Sequence, residues 1–534
     1  MYIASECIDA VKEFKYRAVY DIRTLNAKLF LSIFIIGILF RLVAFGSHTS
    51  LHPDEALYAN WSASIGHNFK LGLTVREVDK PPLFYYLVGA SIFLFGPTDA
   101  AIKLPGLCIG ILMIPLVCLI ALNLARQHAA LWAGFFYALS PFEILYAPTA
   151  FADTTCMFLS LLALLAILYR IPLMTGIFLG LALSTKQSVV FLTPLYVLFF
   201  IMRTKYYTPS LIKIIKGFAI SIIPLILWML LFADKGVGVM INIYQERFFT
   251  PTGNTLRLLV EWFKQERYFT GNFMTSLVAI GFVFLARLLY GFKLYRKRNI
   301  YDFRSFIEIF SLLIFVIAYD LLISMLNYPL YSRYLIVISS PFIILFALSL
   351  NIILKRVHAQ LRIMNYRWDL TTLISAGIVA YWIITTPANM ATFPDGANYR
   401  FSESIKPTAD FIKNQPAPAM VFYTDDTWPW IGWYLFAEKE SGNITRRPAN
   451  FRSEEGIRQL LERLNKDTDK LEKHTLYFIL NTSRDIHAYK LLSDVTGKDI
   501  AHRSLFISQA ADSKHPSYQV DIIDKTAISE ILSK

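Results

Sequence analysis

Residues 83–95 read Leu-Phe-Tyr-Tyr-Leu-Val-Gly-Ala-Ser-Ile-Phe-Leu-Phe, an unbroken apolar and aromatic run from Leu83 to Phe95. As a helix it rises about 20 Å, short of the ~30 Å of hydrocarbon that a membrane span must cross. Its reading decides how the chain is threaded. Eleven further apolar stretches lie near residues 30–47, 101–123, 130–147, 155–169, 171–185, 187–202, 214–232, 272–290, 305–326, 333–353 and 370–387. Eleven spans put the two termini on opposite sides. A twelfth at 83–95 would carry Arg126 across and reverse the side of every later basic cluster. Leu83–Phe95 therefore reads as a helix lying in the interface.

The rest of the composition agrees. The 534 residues are 55% hydrophobic, 15% aromatic and only 17% charged, and the mean hydropathy is +0.46, which sets the chain apart from soluble proteins. The net charge of +13 is not a nucleic-acid footprint. Its lysines and arginines fall in short clusters between apolar runs, at Lys12–Lys28, Arg126, Arg170, Arg203–Lys216, Lys293–Arg304 and Lys355–Arg367. Basic loops stay on the cytoplasmic side, so the N-terminus is expected inside and the C-terminus outside an inner (plasma) membrane. Met1–Lys28 lacks a short apolar core with a small-residue cleavage site, so no removable signal is expected. Cys7, Cys108, Cys118 and Cys156 all precede the tail, so no disulfide scaffold is expected there.

Two regions follow: a membrane module over 1–390 and a soluble domain over 391–534. The module exposes two long outer loops, 48–100 and 233–270. In the tail, Met420–Tyr423 and Leu476–Leu480 read as short buried strands, and Ser453–Lys473 carries Ile457, Leu460, Leu461 and Leu464 on one helical stripe. The expected fold is a polytopic α-helical membrane protein of about eleven transmembrane helices with a C-terminal α/β domain.

Chemistry-bearing residues gather at outer helix ends. The first loop opens His52-Pro53-Asp54-Glu55-Ala56-Leu57-Tyr58. Carboxylates beside apolar surroundings cost free energy unless they have a partner or a task; Asp54 also suits a helix cap. The loop closes Val78-Asp79-Lys80-Pro81-Pro82, where two prolines fix a cation beside an acid. Lys80 can snorkel to headgroups or bind a phosphate. Asp153 stands before an apolar run, Lys186 lies where two short spans meet, and Arg247-Phe248 and Tyr331-Ser332-Arg333-Tyr334 mark later outer ends. Aromatic belts and headgroup anchoring explain any one of these. An anion site at the membrane surface explains the set.

The ordered set Asp54-Glu55-Ala56-x-Tyr58, Lys80-Pro81-Pro82-Leu83, Asp153, Thr185-Lys186, Arg247-Phe248 and Arg333-Tyr334 resembles the GT-C membrane glycosyltransferases, most of all the protein O-mannosyltransferase and lipid A aminoarabinose transferase group. The resemblance covers about residues 30–350. It implies the GT-C fold and an inverting transfer of a sugar from an undecaprenyl- or dolichyl-phosphate carrier to a lipid, glycan or protein acceptor. It also implies catalytic roles for Asp54, Asp153 and Glu55, and binding of the substrate or carrier phosphate by Tyr58, Asp79, Lys80, Lys186, Arg247, Tyr331 and Arg333.

Two positions depart from the aminoarabinose transferases. Asp79 stands where that group has glutamate, and Tyr244 where it has histidine. No metal ligand is therefore assigned, a divalent metal is left open, and no specificity for aminoarabinose is implied. Two other readings compete: a transporter or flippase of a lipid-linked sugar, and a non-catalytic envelope assembly protein. Transporters place functional charge near the bilayer midplane, often within repeats. Here the charges sit at helix ends and no repeat is visible.

Overall fold

In a computed structural model of the protein, the described residues are 2–47, 51–68, 80–125, 127–232, 254–270, 281, 300–326, 331–363, 370–391, 402–424, 427–466, 473–482, 484–485, 487–496, 501–508, 517–523 and 528. The helices are α1 (Tyr2–Thr24), α2 (Ala27–Ser47), α3 (Pro53–Asn68), α4 (Leu83–Phe95), α5 (Asp99–Leu124), α6 (Gln127–Ala138), α7 (Pro141–Tyr146), α8 (Ala152–Leu168), α9 (Pro172–Leu183), α10 (Thr193–Arg203), α11 (Tyr207–Phe232), α12 (Thr255–Thr270), α13 (Ile300–Met325), α14 (Ile336–Ile363) and α15 (Leu370–Ala391). Short 3-10 turns at Gln187–Leu192 and Ser332–Leu335 lead into α10 and α14. The tail runs α16 (Ser402–Lys413), β1 (Ala419–Thr424), α17 (Trp428–Tyr434), α18 (Phe436–Glu440), β2 (Ile444–Ala449), α19 (Glu454–Lys466), β3 (Thr475–Asn481), α20 (Ala488–Thr496), β4 (His502–Ser508) and β5 (Tyr518–Ile523).

Six of the eleven expected spans are helices long and apolar enough to cross a membrane: Ala27–Ser47, Asp99–Leu124, Tyr207–Trp228, Ile307–Met325, Ser332–Lys355 and Thr372–Ala391. Leu83–Phe95, Ala152–Leu168 and Pro172–Leu183 are apolar but shorter, and 187–202 divides into a 3-10 turn and α10. The stretch expected at 130–147 breaks into α6 and α7. The cause is local: Ser140 caps α7, accepting from the Glu143 N–H at 3.4 Å, and Pro141 takes the first helical position, where its missing N–H is no loss. The stretch at 272–290 lies outside the described residues.

Backbone contacts divide the chain into two compact units, one of residues 1–47, 71–87 and 103–393, the other of 48–70, 88–102 and 394–534. The first is the helical module. Its tightest seam joins α9 to α11. A Cβ at Gly176 would stand 1.9 Å from the Ile214 carbonyl oxygen, and one at Gly217 would stand 2.2 Å from that of Leu173, so the two backbones touch as in small-residue membrane interfaces. A second tie is polar. Arg41 of α2, fully buried, donates to the carbonyls of Gly37 and Ala138 at 3.1 Å and of Tyr137 at 3.2 Å. Tyr137 donates to Glu143 at 2.6 Å, and Ser339 of α14 donates to the other Glu143 oxygen at 2.5 Å. This chain offsets a buried cation with a buried acid and fastens α2, α6, α7 and α14 together.

In the second unit a five-stranded sheet runs β2-β1-β3-β5-β4. β1 pairs in parallel with β2 and β3, while β5 runs antiparallel to β3 and β4. β1 and β3 are nearly continuous apolar runs because both faces of a central parallel strand are covered. Ile457, Leu460 and Leu464 of α19 pack on Met420, Phe422, Leu476 and Phe478, at about 25 cal/mol for each Å² of apolar surface removed from water.

Loop helix α3 belongs to this same unit and lies on α17. The Trp430 indole donates to the Leu51 carbonyl at 3.0 Å. A Cβ at Gly432 would approach the Asn60 amide nitrogen to 2.9 Å. Asp99, at the start of α5, accepts from the Trp433 indole at 2.9 Å and from Lys406 at 2.7 Å.

Candidate active site

In the second unit, α3 starts at Pro53 and carries Asp54 and Glu55 in its first turn. The two acids have different surroundings. Glu55 is fully buried and accepts the backbone N–H of His52 at 2.9 Å, while His52 Nδ1 accepts the N–H of Asp54 at 3.2 Å. This is a capping box with histidine at the cap. The capping role that suited Asp54 therefore falls to His52 and Glu55. Asp54 keeps its side chain about one-third exposed, 4.0 Å from His52 Nδ1, at the helix end where a negative charge is favoured. Tyr58, one turn on, is buried with its ring 5.9 Å from that of Trp61.

In the first unit, a cluster forms at the N-terminal end of α8. Phe151 caps that helix without a side-chain hydrogen bond. Asp153, in its first turn, pairs instead with Lys186 Nζ, both groups being 7% exposed. Lys186 is extended and immediately precedes the 3-10 turn at Gln187–Leu192. Its Nζ lies 5.9 Å from the centre of the Tyr334 ring. The Arg333 guanidinium is seated among three rings, with its carbon 5.1 Å from the centre of Phe151, 5.2 Å from Tyr331 and 5.4 Å from Tyr334. Cation–π contacts of this kind hold an arginine without neutralising it. Tyr319 fixes the turn by donating to the Tyr334 carbonyl at 2.8 Å.

The same cluster reaches the first loop. The N–H of Leu83 donates to the Ser184 carbonyl at 3.0 Å. This ties the Lys80-Pro81-Pro82 segment, just ahead of α4, to the turn that carries Lys186. The first unit thus gathers Asp153, Lys186, Tyr331, Arg333 and the Lys80 segment, and the second holds Asp54, Glu55 and Tyr58. Asp79 and Arg247 lie outside the described residues, as does Tyr244.

Such an arrangement suits an anion. Among the described residues of the cluster Lys186 and Arg333 supply two positive charges and Asp153 one negative, so it is net cationic in an apolar wall, where charge acts strongly, and the segment that carries Lys80 is tied to it. Lysine contributes a point charge, whereas arginine can contact a phosphate through two parallel N–H bonds. Among the described residues no group of three or more His, Cys, Asp or Glu could hold a metal ion. Neither Phe151 nor Tyr334 stands among the site residues that the sequence assigns. The one signal for them is adjacency, Phe151 lying two residues before Asp153 and Tyr334 following Arg333.

Residues 79–232 match the family described as dolichyl-phosphate-mannose-protein mannosyltransferase. In structure the chain is similar to ArnT from Cupriavidus metallidurans in the apo state, with TM-score 0.60 and 14% identity over 91% of this chain and 97% of that one. It is similar also to the same protein bound to undecaprenyl phosphate, with TM-score 0.58 and 13% identity over 92% and 97%. A third similarity is to the archaeal oligosaccharyltransferase AglB from Archaeoglobus fulgidus in complex with an inhibitory peptide and a dolichol-phosphate, with TM-score 0.50 and 14% identity over 88% and 71%. No curated protein matches the sequence. With that family match over residues 79–232 and this structural likeness over nearly its whole length, the chain has the fold of the GT-C membrane glycosyltransferases.

Proposed function

We propose that the protein transfers a sugar, with inversion, from a polyprenyl-phosphate carrier to a hydroxyl-bearing lipid, glycan or protein acceptor on the outer face of the membrane. The observation that carries this reading is the cationic cluster of Lys186, Arg333 and the Lys80 segment around Asp153. Undecaprenyl phosphate in the ArnT structure and dolichol-phosphate in the AglB structure support a carrier of that chemistry. In this reading the N-terminus is cytoplasmic and the tail extracytoplasmic.

The acceptor oxygen attacks the anomeric carbon, the bond from that carbon to the carrier phosphate oxygen breaks, and the hydroxyl proton passes to a carboxylate. Asp54 is assigned as that base, because Glu55 is engaged in capping α3. Asp153, held by Lys186, orients the acceptor. Lys80, Lys186, Arg247 and Arg333 stabilise the charge that gathers on the departing phosphate, with Tyr58 and Tyr331 as hydroxyl donors and Asp79 binding the substrate. No step is assigned to a metal.

The test is transfer by purified protein from a radiolabelled polyprenyl-phosphate sugar to envelope glycolipids. Asp54→Asn should reduce turnover by at least a hundredfold, the scale of a lost general base, while carrier binding persists. Unchanged turnover in that variant removes Asp54 from the role. Uptake of intact carrier-linked sugar into vesicles without transfer would overturn the enzymatic reading.

A further inference from the structure

At the other end of α8 from Asp153, about 24 Å along the helix, the helical module contains a cavity that the transfer reaction does not use. Its volume is about 280 Å³, and it is lined by cations, hydroxyls and apolar groups from α8, α9, α10 and α11. Arg170, Arg203 and Lys205 supply the charge; Thr175, Thr204 and Ser210 supply hydroxyls. Ile167, Ile171, Phe200 and Ile214 form the apolar part. Among the described residues no carboxylate lines it. Glu308 stands behind Arg203, accepting from its Nη2 at 2.6 Å, so the lining stays net positive. Two helices also begin here, α9 at Pro172 and α11 at Tyr207, and a helix start favours an anion.

Arg170 is the telling residue. α8 ends in a Schellman motif, with the Ile171 N–H bonded to the Ala166 carbonyl at 2.9 Å and the Arg170 N–H to that of Ile167 at 3.0 Å. That motif puts its penultimate residue in the left-handed region, and Arg170 has φ 60. Glycine takes this conformation without cost, whereas a side chain does not. Among the described residues Arg170 is the one non-glycine with positive φ. The chain therefore bears backbone strain at the position that puts an arginine on the cavity wall, and strain of this kind clusters at functional sites.

We propose that this cavity is a second anion site, which takes a phosphate group carried on a lipid headgroup or free in solution. Its volume lies just below the range of ligand pockets, roughly 300–1,000 Å³, which suits a phosphate with a short attachment and not a sugar nucleotide. The mixed apolar and cationic lining suits an amphiphile entering from the bilayer edge. In the topology proposed above the site faces the cytoplasm, remote from the transfer chemistry, and its loss should leave basal transfer intact.

The experiment uses the full chain in phosphatidylcholine vesicles, alone, with phosphatidylglycerol, or with inorganic phosphate, and reads the thermal midpoint together with lipid retained by native mass spectrometry. The expected result is a raised midpoint with phosphatidylglycerol, with inorganic phosphate, or with both; the active arm identifies the source. Arg170→Gly is the decisive variant, because it removes the charge while relieving the backbone. It should fold at least as well as the wild type and bind the active ligand roughly tenfold more weakly, the size of one charge-assisted hydrogen bond. Lys205→Gln should weaken it similarly. Lys213→Gln, an exposed cation outside the lining, should leave binding unchanged. The proposal is overturned if neither arm raises the midpoint, if Arg170→Gly and Lys205→Gln retain the full response, or if Lys213→Gln loses as much.

Discussion

Trp430 donates its indole N–H to the backbone carbonyl of Leu51 at 3.0 Å, and both residues are buried. Leu51 lies three residues ahead of Asp54, so this bond anchors the chain where α3 begins. Trp430→Phe keeps an aromatic ring of smaller volume and removes the donor, which costs about 0.5–1.5 kcal/mol for the hydrogen bond on top of the space left by the smaller ring. We expect turnover to fall roughly twofold to tenfold with the KM for carrier unchanged. A raised KM at constant turnover would count against a positioning role for this bond.

The Asp153–Lys186 pair should behave as a buried ion pair does. Asp153→Asn or Lys186→Met alone leaves an uncompensated charge and should destabilise the fold by about 3–5 kcal/mol. The double variant should recover much of that loss. Thermal unfolding in detergent of all four proteins closes the cycle, and additive losses would show that the two groups do not depend on each other.

Arg333 offers a test of geometry at constant charge. Arg333→Lys keeps the cation but gives up the planar stacking on Phe151, Tyr331 and Tyr334, worth about 0.5–2 kcal/mol. Carrier affinity, measured by competition with polyprenyl phosphate, should weaken about threefold to thirtyfold. Equal affinity would mean that charge alone matters there.

The seam between α9 and α11 predicts a contrast between two glycines. Gly176→Ala drives a Cβ into the Ile214 carbonyl, and overpacking should cost about 2 kcal/mol or more. At Gly46 of α2 a Cβ meets nothing within 4 Å, so Gly46→Ala should be neutral or gain up to about 1 kcal/mol from helix propensity. Unfolding midpoints decide, and equal effects would contradict the packing.

Alkaline pH should weaken the sheet domain through Tyr489. Its hydroxyl donates to the Asp521 carboxylate at 2.5 Å. Burial, aided by that neighbouring acid, pushes its pKa above the ordinary tyrosine value. The folded state then keeps a proton that the unfolded state releases. The stabilisation is complete below the unfolded pKa of about 10 and declines as pH rises beyond it. Tyr489→Phe should flatten that decline, as followed by circular dichroism from pH 8 to about 11.

Much of the architecture is legible in the letters because it follows from local periodicity. Leu83–Phe95 is a helix with the bounds its apolar run implies, and β1, β3 and the stripe of α19 lie where buried strands and an amphipathic helix were expected. The break at Ser140-Pro141 was missed, although a cap followed by proline is a local signal, because hydropathy alone runs through it. At the candidate site, residue types and their order point to anion chemistry. Spacing cannot reveal that Lys186 closes on Asp153 from 33 positions away, nor that Phe151 helps to seat Arg333. Adjacency says nothing of surroundings: Asp54 and Glu55 are neighbours, yet Glu55 is buried in a cap and Asp54 keeps its side chain about one-third exposed.

The hydrogen bond between Leu51 and Trp430 also has a timescale. Its partners are 379 positions apart in the chain. At roughly 5–20 residues per second of synthesis, helix α3 leaves the ribosome about 20 to 75 s before the tryptophan that anchors it. Through that interval the acid assigned to accept the proton lacks this support. A protein still being made, or one truncated ahead of the sheet domain, would therefore carry α3 without this anchor, and the anchor would arrive only as synthesis nears its end.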